Sequence, residues 1–115
     1  MDYQAGLYIR LSKEDENVGQ SESVTNQLSL LTSYAKEHNF PVFDTYIDDG
    51  WSGTNFDRPA FRRLIDDIEL KHVNMVITKD LSRLGRDYIL TGHYIERYFP
   101  ENRVRYISIL DEIDT

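Results

Sequence analysis

A serine two residues after an arginine, Arg10 and Ser12, and two arginines three apart, Arg83 and Arg86, are the residues of this 115-residue chain best suited to chemistry. A serine hydroxyl is a weak nucleophile at its free pKa and needs a base, a lowered pKa or a strongly polarised electrophile. The three histidines, His38, His72 and His93, fall at the ends or in the middle of expected helices, so a Ser-His-Asp triad would arise only by accident of folding. Arginine matches a different electrophile. Its guanidinium fork donates parallel hydrogen bonds to phosphate oxygens and stays charged at any working pH. Serine plus arginines therefore points to phosphoryl transfer, with Arg10, Arg83 and Arg86 as candidates to stabilise charge on a five-coordinate phosphorus without a metal. Taken singly, Arg10 also reads as a strand-edge residue, Ser12 as a turn residue and the RLGR segment as a solvated helix start.

The elements that must hold these residues follow from periodicity. Residues 5–11 form an apolar run interrupted by Arg10, as expected of a strand covered on both faces. Residues 12–23 are polar and read as a loop long enough to move, with Ser21 or Ser23 placed to cap the next helix. Val24, Leu28, Leu31 and Ala35 recur at helical spacing, and residues 36–39 followed by Pro41 supply the stop. Residues 42–47 predict a second strand leading into a turn-rich segment over 48–59. Pro59 suits the first turn of a second helix with the stripe Phe61, Leu64, Ile65 and Ile68. A third strand is expected over 73–78, a third helix to about Phe99 with Tyr88, Thr91, Ile95 and Tyr98 on one face, a fourth strand over 104–110, and then an acidic tail.

That order, β-α-β-α-β-α-β, predicts a three-layer α/β fold: a mainly parallel sheet of four to five strands with helices on both faces. In such open sheets functional groups gather beyond the carboxyl ends of the strands. Arg10 to Ser12, Asp48 to Arg58 and Lys79 to Arg86 are the three segments that topology sends there.

Composition bounds the alternatives. One domain over residues 1–115 is expected, since the chain is too short for two of ordinary size. No apolar run approaches the roughly 20 residues of a membrane helix. The absence of cysteine removes disulfides and thiolate metal sites, and a chain start without a signal-peptide pattern makes the cytoplasm the expected compartment. The formal net charge of −7 opposes a domain that holds nucleic acid by bulk electrostatics. The acids crowd into 13–16, 44–49 and 111–114, however, while Arg58, Arg62, Arg63, Arg83 and Arg86 occupy two short segments, so local sign can oppose net sign.

Three segments, YIRLS (8–12), DGWSGTNFDRP (49–59) and RLGRD (83–87), resemble in order and spacing the signatures of the resolvase/invertase serine recombinases. The likeness spans nearly the whole chain, and its wording is most similar to the large serine recombinases of conjugative and mobilisable transposons. It implies that Ser12 is the nucleophile that becomes joined to a DNA 5′-phosphate, that Arg10 contacts the scissile phosphate, and that Arg83 and Arg86 are the family's paired arginines. It also implies supporting roles for Gln27 on the first helix and for Asp49, Ser52 and Arg58, with Ser52 and Arg58 nearer the chemistry and Asp49 structural. No metal and no cofactor is implied, because the phosphoserine bond conserves the energy for religation. The implied partners are DNA and further copies of the protein, as dimer and tetramer. The family continues into a dimerisation helix and DNA-binding domains, so this chain is expected to be a catalytic fragment. One departure stands out: many small resolvases carry an aspartate just before the first arginine of the third segment, where this chain has Ser82, with Asp80 two residues earlier. No general base is assigned.

Two readings compete. Asp48 and Asp49 after one strand and Lys79 after another resemble a phospho-acceptor receiver domain, but there the acid pair follows the first strand, and Mg²⁺ would bridge carboxylates to phosphate. An inactive architectural module would keep the fold without the chemistry, and retention of Ser12 with three arginines argues against it.

Overall fold

A computed structural model describes residues 2–12 and 23–115. The elements run β1 (Ala5–Leu11), α1 (Val24–Glu37), β2 (Val42–Asp49), α2 (Pro59–Glu69), β3 (Met75–Thr78), α3 (Leu81–Leu84), α4 (Tyr88–His93), a π-helical turn (Tyr94–Tyr98), α5 (Phe99–Glu101), β4 (Arg105–Ser108) and β5 (Ile113–Asp114). The strands form one sheet in the order β2-β1-β3-β4-β5, parallel throughout except that β5 runs antiparallel to β4.

Alternation along β1 builds the two faces. Ala5, Leu7 and Ile9 join Leu31 and Ala35 of α1 and Met75, Ile77 and Ile107 in one core. Tyr8 points the other way, into a core with Tyr46, Phe61, Leu64, Ile68, Phe99 and Tyr106, on the side of α2 and the last helical run. Of the stripe expected on α1, Leu31 and Ala35 are buried and Val24 and Leu28 pack at the core's edge, with Gln27 buried beside them, and Ser23 caps that helix by accepting from Asn26 N at 3.1 Å, an interaction worth about 1 kcal/mol. Ser21 and the interior of the expected 12–23 loop lie outside the described residues. Pro59 occupies the first turn of α2 as expected, and Ala60, Phe61, Leu64 and Ile68 form its buried face.

Two features depart from the periodicity. The helix expected up to Phe99 is a continuous helical run over 88–101 that widens into a π-turn; Tyr94 and Phe99 at the junctions keep right-handed helical dihedrals. Of the expected face, Thr91 is buried and Ile95 and Tyr98 pack against the core, whereas Tyr88 at the start of the run is 91% exposed and Tyr94 packs against Phe56, Phe61 and Phe99. Secondly, the acidic tail contains β5, a two-residue strand too short to leave an alternating pattern. It is pinned by Arg105, whose Nε and Nη2 reach the two carboxylate oxygens of Asp114 at 2.7 and 2.6 Å.

Candidate active site at the crossover between the first and third strands

Because β1 lies between β2 and β3, the chain leaves β1 toward one side of the sheet and later enters the other side. The crevice beyond the carboxyl ends of β1 and β3 is therefore the topological switch point, where open α/β sheets bind ligands. Arg10 is the penultimate residue of β1, Ser12 follows that strand directly, and the segment carrying Arg83 and Arg86 follows β3.

Arg10 is fully buried, and its charge is held by backbone carbonyls. Nε donates to Arg83 O at 3.3 Å, Nη1 to Trp51 O at 3.0 Å and Nη2 to Ser82 O. Its own carbonyl accepts from Arg83 Nη1 at 2.9 Å and from Gln27 Nε2 at 3.1 Å. One residue thus ties β1 to α1, to the loop after β2 and to the loop after β3. Ser12 beside it is 3% exposed. Arg86 is exposed, and its backbone N–H donates to Gly53 O at 2.7 Å. A Cβ on Gly53 would stand 2.7 Å from Arg10 Nη2 and 2.8 Å from Arg10 Cζ, so any larger residue there must displace the guanidinium.

Burial, followed by repulsion from Arg83, Arg58 and Arg86, lowers the pKa of Arg10 to about 10. Arg10 still carries its proton at neutral pH, in a cluster of like charges whose electrostatic cost a bound anion would relieve. Such a preorganised cationic site acts most strongly on charge that develops during a reaction.

Arg58 lies beneath this cluster, fully buried. Its Nη1 donates to Tyr8 Oη at 2.7 Å, Nη2 to Leu84 O at 2.7 Å and Nε to Asn55 O at 2.9 Å, and its guanidinium lies over the rings of Phe56 and Phe61. Tyr8 passes the contact on by donating to Asp48 Oδ2 at 2.8 Å. The same carboxylate accepts Ala60 N and Phe61 N at 2.9 and 3.0 Å, so Asp48 rather than Arg58 supplies the side-chain cap of α2.

The loop after β3 is fastened from the far side too. Asp111 Oδ2 accepts Leu81 N and Ser108 Oγ, both at 2.7 Å, and Leu110 N donates to Lys79 O at 2.9 Å. Asp80 caps the short α3 through Arg83 N at 3.2 Å. The result is a layer of backbone carbonyls and arginine side chains, hydrogen-bonded together, at the end of β1 where Ser12 follows.

Comparison with known proteins establishes the family and the fold. Residues 5–115 match the family described as resolvase, N-terminal domain. The chain belongs to the resolvase family. Among solved structures, the N-terminal catalytic domain of TP901-1 integrase is 36% identical with a TM-score of 0.88, over 97% of this chain and 81% of that one. The C-terminal catalytic domain of ISC1926 TnpA, an IS607-like serine recombinase, is 27% identical with a TM-score of 0.77, over 92% of this chain and 67% of that one. A resolvase family site-specific recombinase from Streptococcus pneumoniae is 28% identical with a TM-score of 0.75, over 99% and 76%. No curated protein sequence matched. This resolvase domain is the catalytic domain of a serine site-specific recombinase, an enzyme of DNA strand exchange.

Of the residues singled out from the sequence, the resolvase fold brings together Arg10, Gln27, Arg83 and the start of the loop at Ser12, with Arg86 on the rim. Ser52 is exposed, accepts Thr54 N at 3.1 Å and shapes its own loop. Asp49 is exposed at the end of β2, and the buried structural carboxylate is its neighbour Asp48. Arg58 serves below the site through Tyr8 and Leu84 O. Arg62 and Arg63 leave the cluster for surface ion pairs with Asp57 and Asp44. Tyr8, Gly53 and the capping role of Asp48 escaped the sequence reading. Strand alternation carried a signal for two of them, because Tyr8 and Arg10 share a face of β1 and the register sets Arg10 beside Asp48. Among the described residues no group of three or more His, Cys, Asp or Glu side chains could hold a metal, and no helix is long and apolar enough to cross a membrane.

Proposed function

We propose that Ser12 Oγ attacks a DNA phosphodiester, forming a bond to phosphorus while the bond to the 3′ oxygen breaks, and that Arg10, Arg83 and Arg86 stabilise the charge that develops on the phosphoryl oxygens. The products are a 5′-phosphoserine and a free 3′-hydroxyl, and the reverse attack by a 3′-hydroxyl rejoins DNA, one ester exchanged for another. The observation that supports this best is the reciprocal contact of Arg10 and Arg83: each donates to the other's carbonyl, which couples the strand that leads to Ser12 to the loop bearing the paired arginines. Gln27 supports the same point by holding the Arg10 carbonyl, and Arg58 and Ser52 support the loops around it. The domain acts in the cytoplasm as part of a longer recombinase whose other parts bind the site and assemble dimers and tetramers.

The test is to incubate the full recombinase with a nicked candidate site, denature it and map by mass spectrometry any residue joined to DNA. A 5′-phosphate on Ser12 is expected. A verified DNA complex with no adduct would favour an inactive architectural module and leave the arginines as a phosphate-binding surface.

A further inference from the structure

The Ser82 hydroxyl stands between a carboxylate and a guanidinium. It donates to Asp80 Oδ1 at 2.6 Å and accepts from Arg83 Nη2 at 3.1 Å and Nε at 3.3 Å. The direct separation of Arg83 Nε and Asp80 Oδ1 is 3.6 Å, too long for a hydrogen bond. Asp80 therefore meets the Arg83 guanidinium as an ion pair and, by hydrogen bonds, through a hydroxyl polarised at both ends. The third nitrogen, Nη1, is held by the Arg10 carbonyl, so the guanidinium plane is fixed from two edges. Asp80 is itself fixed, because the same oxygen accepts Arg83 N and its carbonyl accepts from Thr78 Oγ1 at 3.1 Å.

We propose that Asp80 and Ser82 are positioning residues for Arg83, with the Ser82 hydroxyl relaying the negative charge of Asp80 to the guanidinium. The proposal rests on the reading that Arg83 faces the reacting phosphate. A carboxylate in direct contact would occupy the hydrogen-bonding edge of an arginine and offset much of its charge. Here the Ser82 hydroxyl takes the Nε/Nη2 edge and orients the fork, while Asp80 stays at ion-pair distance from Nε. Orientation of this kind governs rate more than affinity, since a guanidinium turned out of line still attracts DNA but no longer meets the phosphoryl oxygens as they move.

The experiment compares Asp80→Asn, Ser82→Ala and Ser82→Thr in the full recombinase, reading DNA affinity and the rate of covalent adduct formation on a nicked site. Asparagine caps helices as well as aspartate and keeps both acceptor contacts, so Asp80→Asn removes the charge alone. Alanine favours helix more than threonine, so a purely structural role for Ser82 ranks Ser82→Ala above Ser82→Thr, while the relay ranks them the other way. Expected are adduct rates lowered at least about tenfold in Asp80→Asn and Ser82→Ala, DNA affinity within about twofold, and a rate near wild type in Ser82→Thr. Wild-type rates in Asp80→Asn, or Ser82→Ala as fast as Ser82→Thr, would overturn the relay. If the unaltered recombinase forms no adduct, the proposed function fails. The relay is then decided by nuclear magnetic resonance of the 115-residue chain: slow exchange of the Arg83 Nε proton, lost in both Asp80→Asn and Ser82→Ala, supports it, and unchanged exchange refutes it.

Discussion

Arg58 reaches Asp48 through the hydroxyl of Tyr8, which accepts from Arg58 Nη1 at 2.7 Å and donates to Asp48 Oδ2 at 2.8 Å. All three side chains are buried, and between them they join the start of α2, the middle of β1 and the carbonyl of Leu84 in the arginine-bearing loop. Removing the hydroxyl leaves two charged groups facing each other across a gap. Tyr8→Phe is expected to cost about 2 to 3 kcal/mol and Arg58→Met about 3 to 5 kcal/mol, read from urea unfolding. An Arg58→Met domain that unfolds at the wild-type midpoint would show that the network is incidental.

Ser12 and Arg83 separate chemistry from folding. Ser12→Ala should abolish the covalent DNA adduct in the full recombinase and change stability by no more than about 1 kcal/mol, since one hydroxyl is lost from a loop. Arg83→Lys should be severely impaired as well, because an ammonium cannot reproduce the two-edged hold on Ser82 Oγ and Arg10 O. Near-normal cleavage by Arg83→Lys would make that arginine peripheral.

Gly53 tests the fit around Arg10. An added methyl group must displace the guanidinium, whose Nη2 and Cζ lie 2.7 and 2.8 Å from the Cβ position. Gly53→Ala is expected to slow adduct formation by about 10- to 100-fold while the protein remains folded and bound to DNA. A wild-type rate would mean that the position of Arg10 is not critical.

Alkaline pH should unfold the domain. Burial raises the pKa of Tyr8, Tyr46, Tyr94, Tyr98 and Tyr106, with hydrogen bonds to Asp67 and Glu69 adding to the effect at Tyr46 and Tyr98. Their folded values lie above the unfolded value of about 10, so their stabilisation is complete below that pH and is lost as pH rises through the folded values. Arg10 has the opposite sign: its folded pKa of about 10 is below the unfolded value, so its contribution grows more favourable with pH above that point. Five tyrosines against one arginine predict a falling urea midpoint between about pH 9 and about pH 11. A midpoint that stays level or rises would contradict this balance.

Chelation offers a simpler check. With three arginines assigned to the phosphate, cleavage should proceed unchanged in excess chelator. Strict dependence on Mg²⁺ would call for a metal-assisted mechanism instead.

Much of the scaffold is legible because its elements are local. The stripe of α1, the proline at the start of α2 and the apolar run of β1 each follow from neighbours a few residues apart. Arg10 already stood out as a charge inside a buried strand, but its three carbonyl partners lie 41 to 73 residues away and leave no periodic trace. The choice between Asp48 and Asp49 turns on one residue of register, because successive strand residues face opposite sides of the sheet. The π-turn and β5 were hidden for the same reason, one being a widened helical turn among packed aromatic rings and the other a pairing held by an ion pair.

By itself, then, the sequence determined the order of the main strands and helices and the family, and singled out the serine and arginines, all carried by short segments and their spacing. The tertiary structure alone decided which arginines meet. It turned Arg10 and Arg83 toward one another at the switch point, sank Arg58 beneath them and sent Arg62 and Arg63 to the surface. Guanidinium groups of identical chemistry are distinguished by which carbonyls and carboxylates fold up against them, and those partners are assembled only when the sheet order brings distant loops to one end.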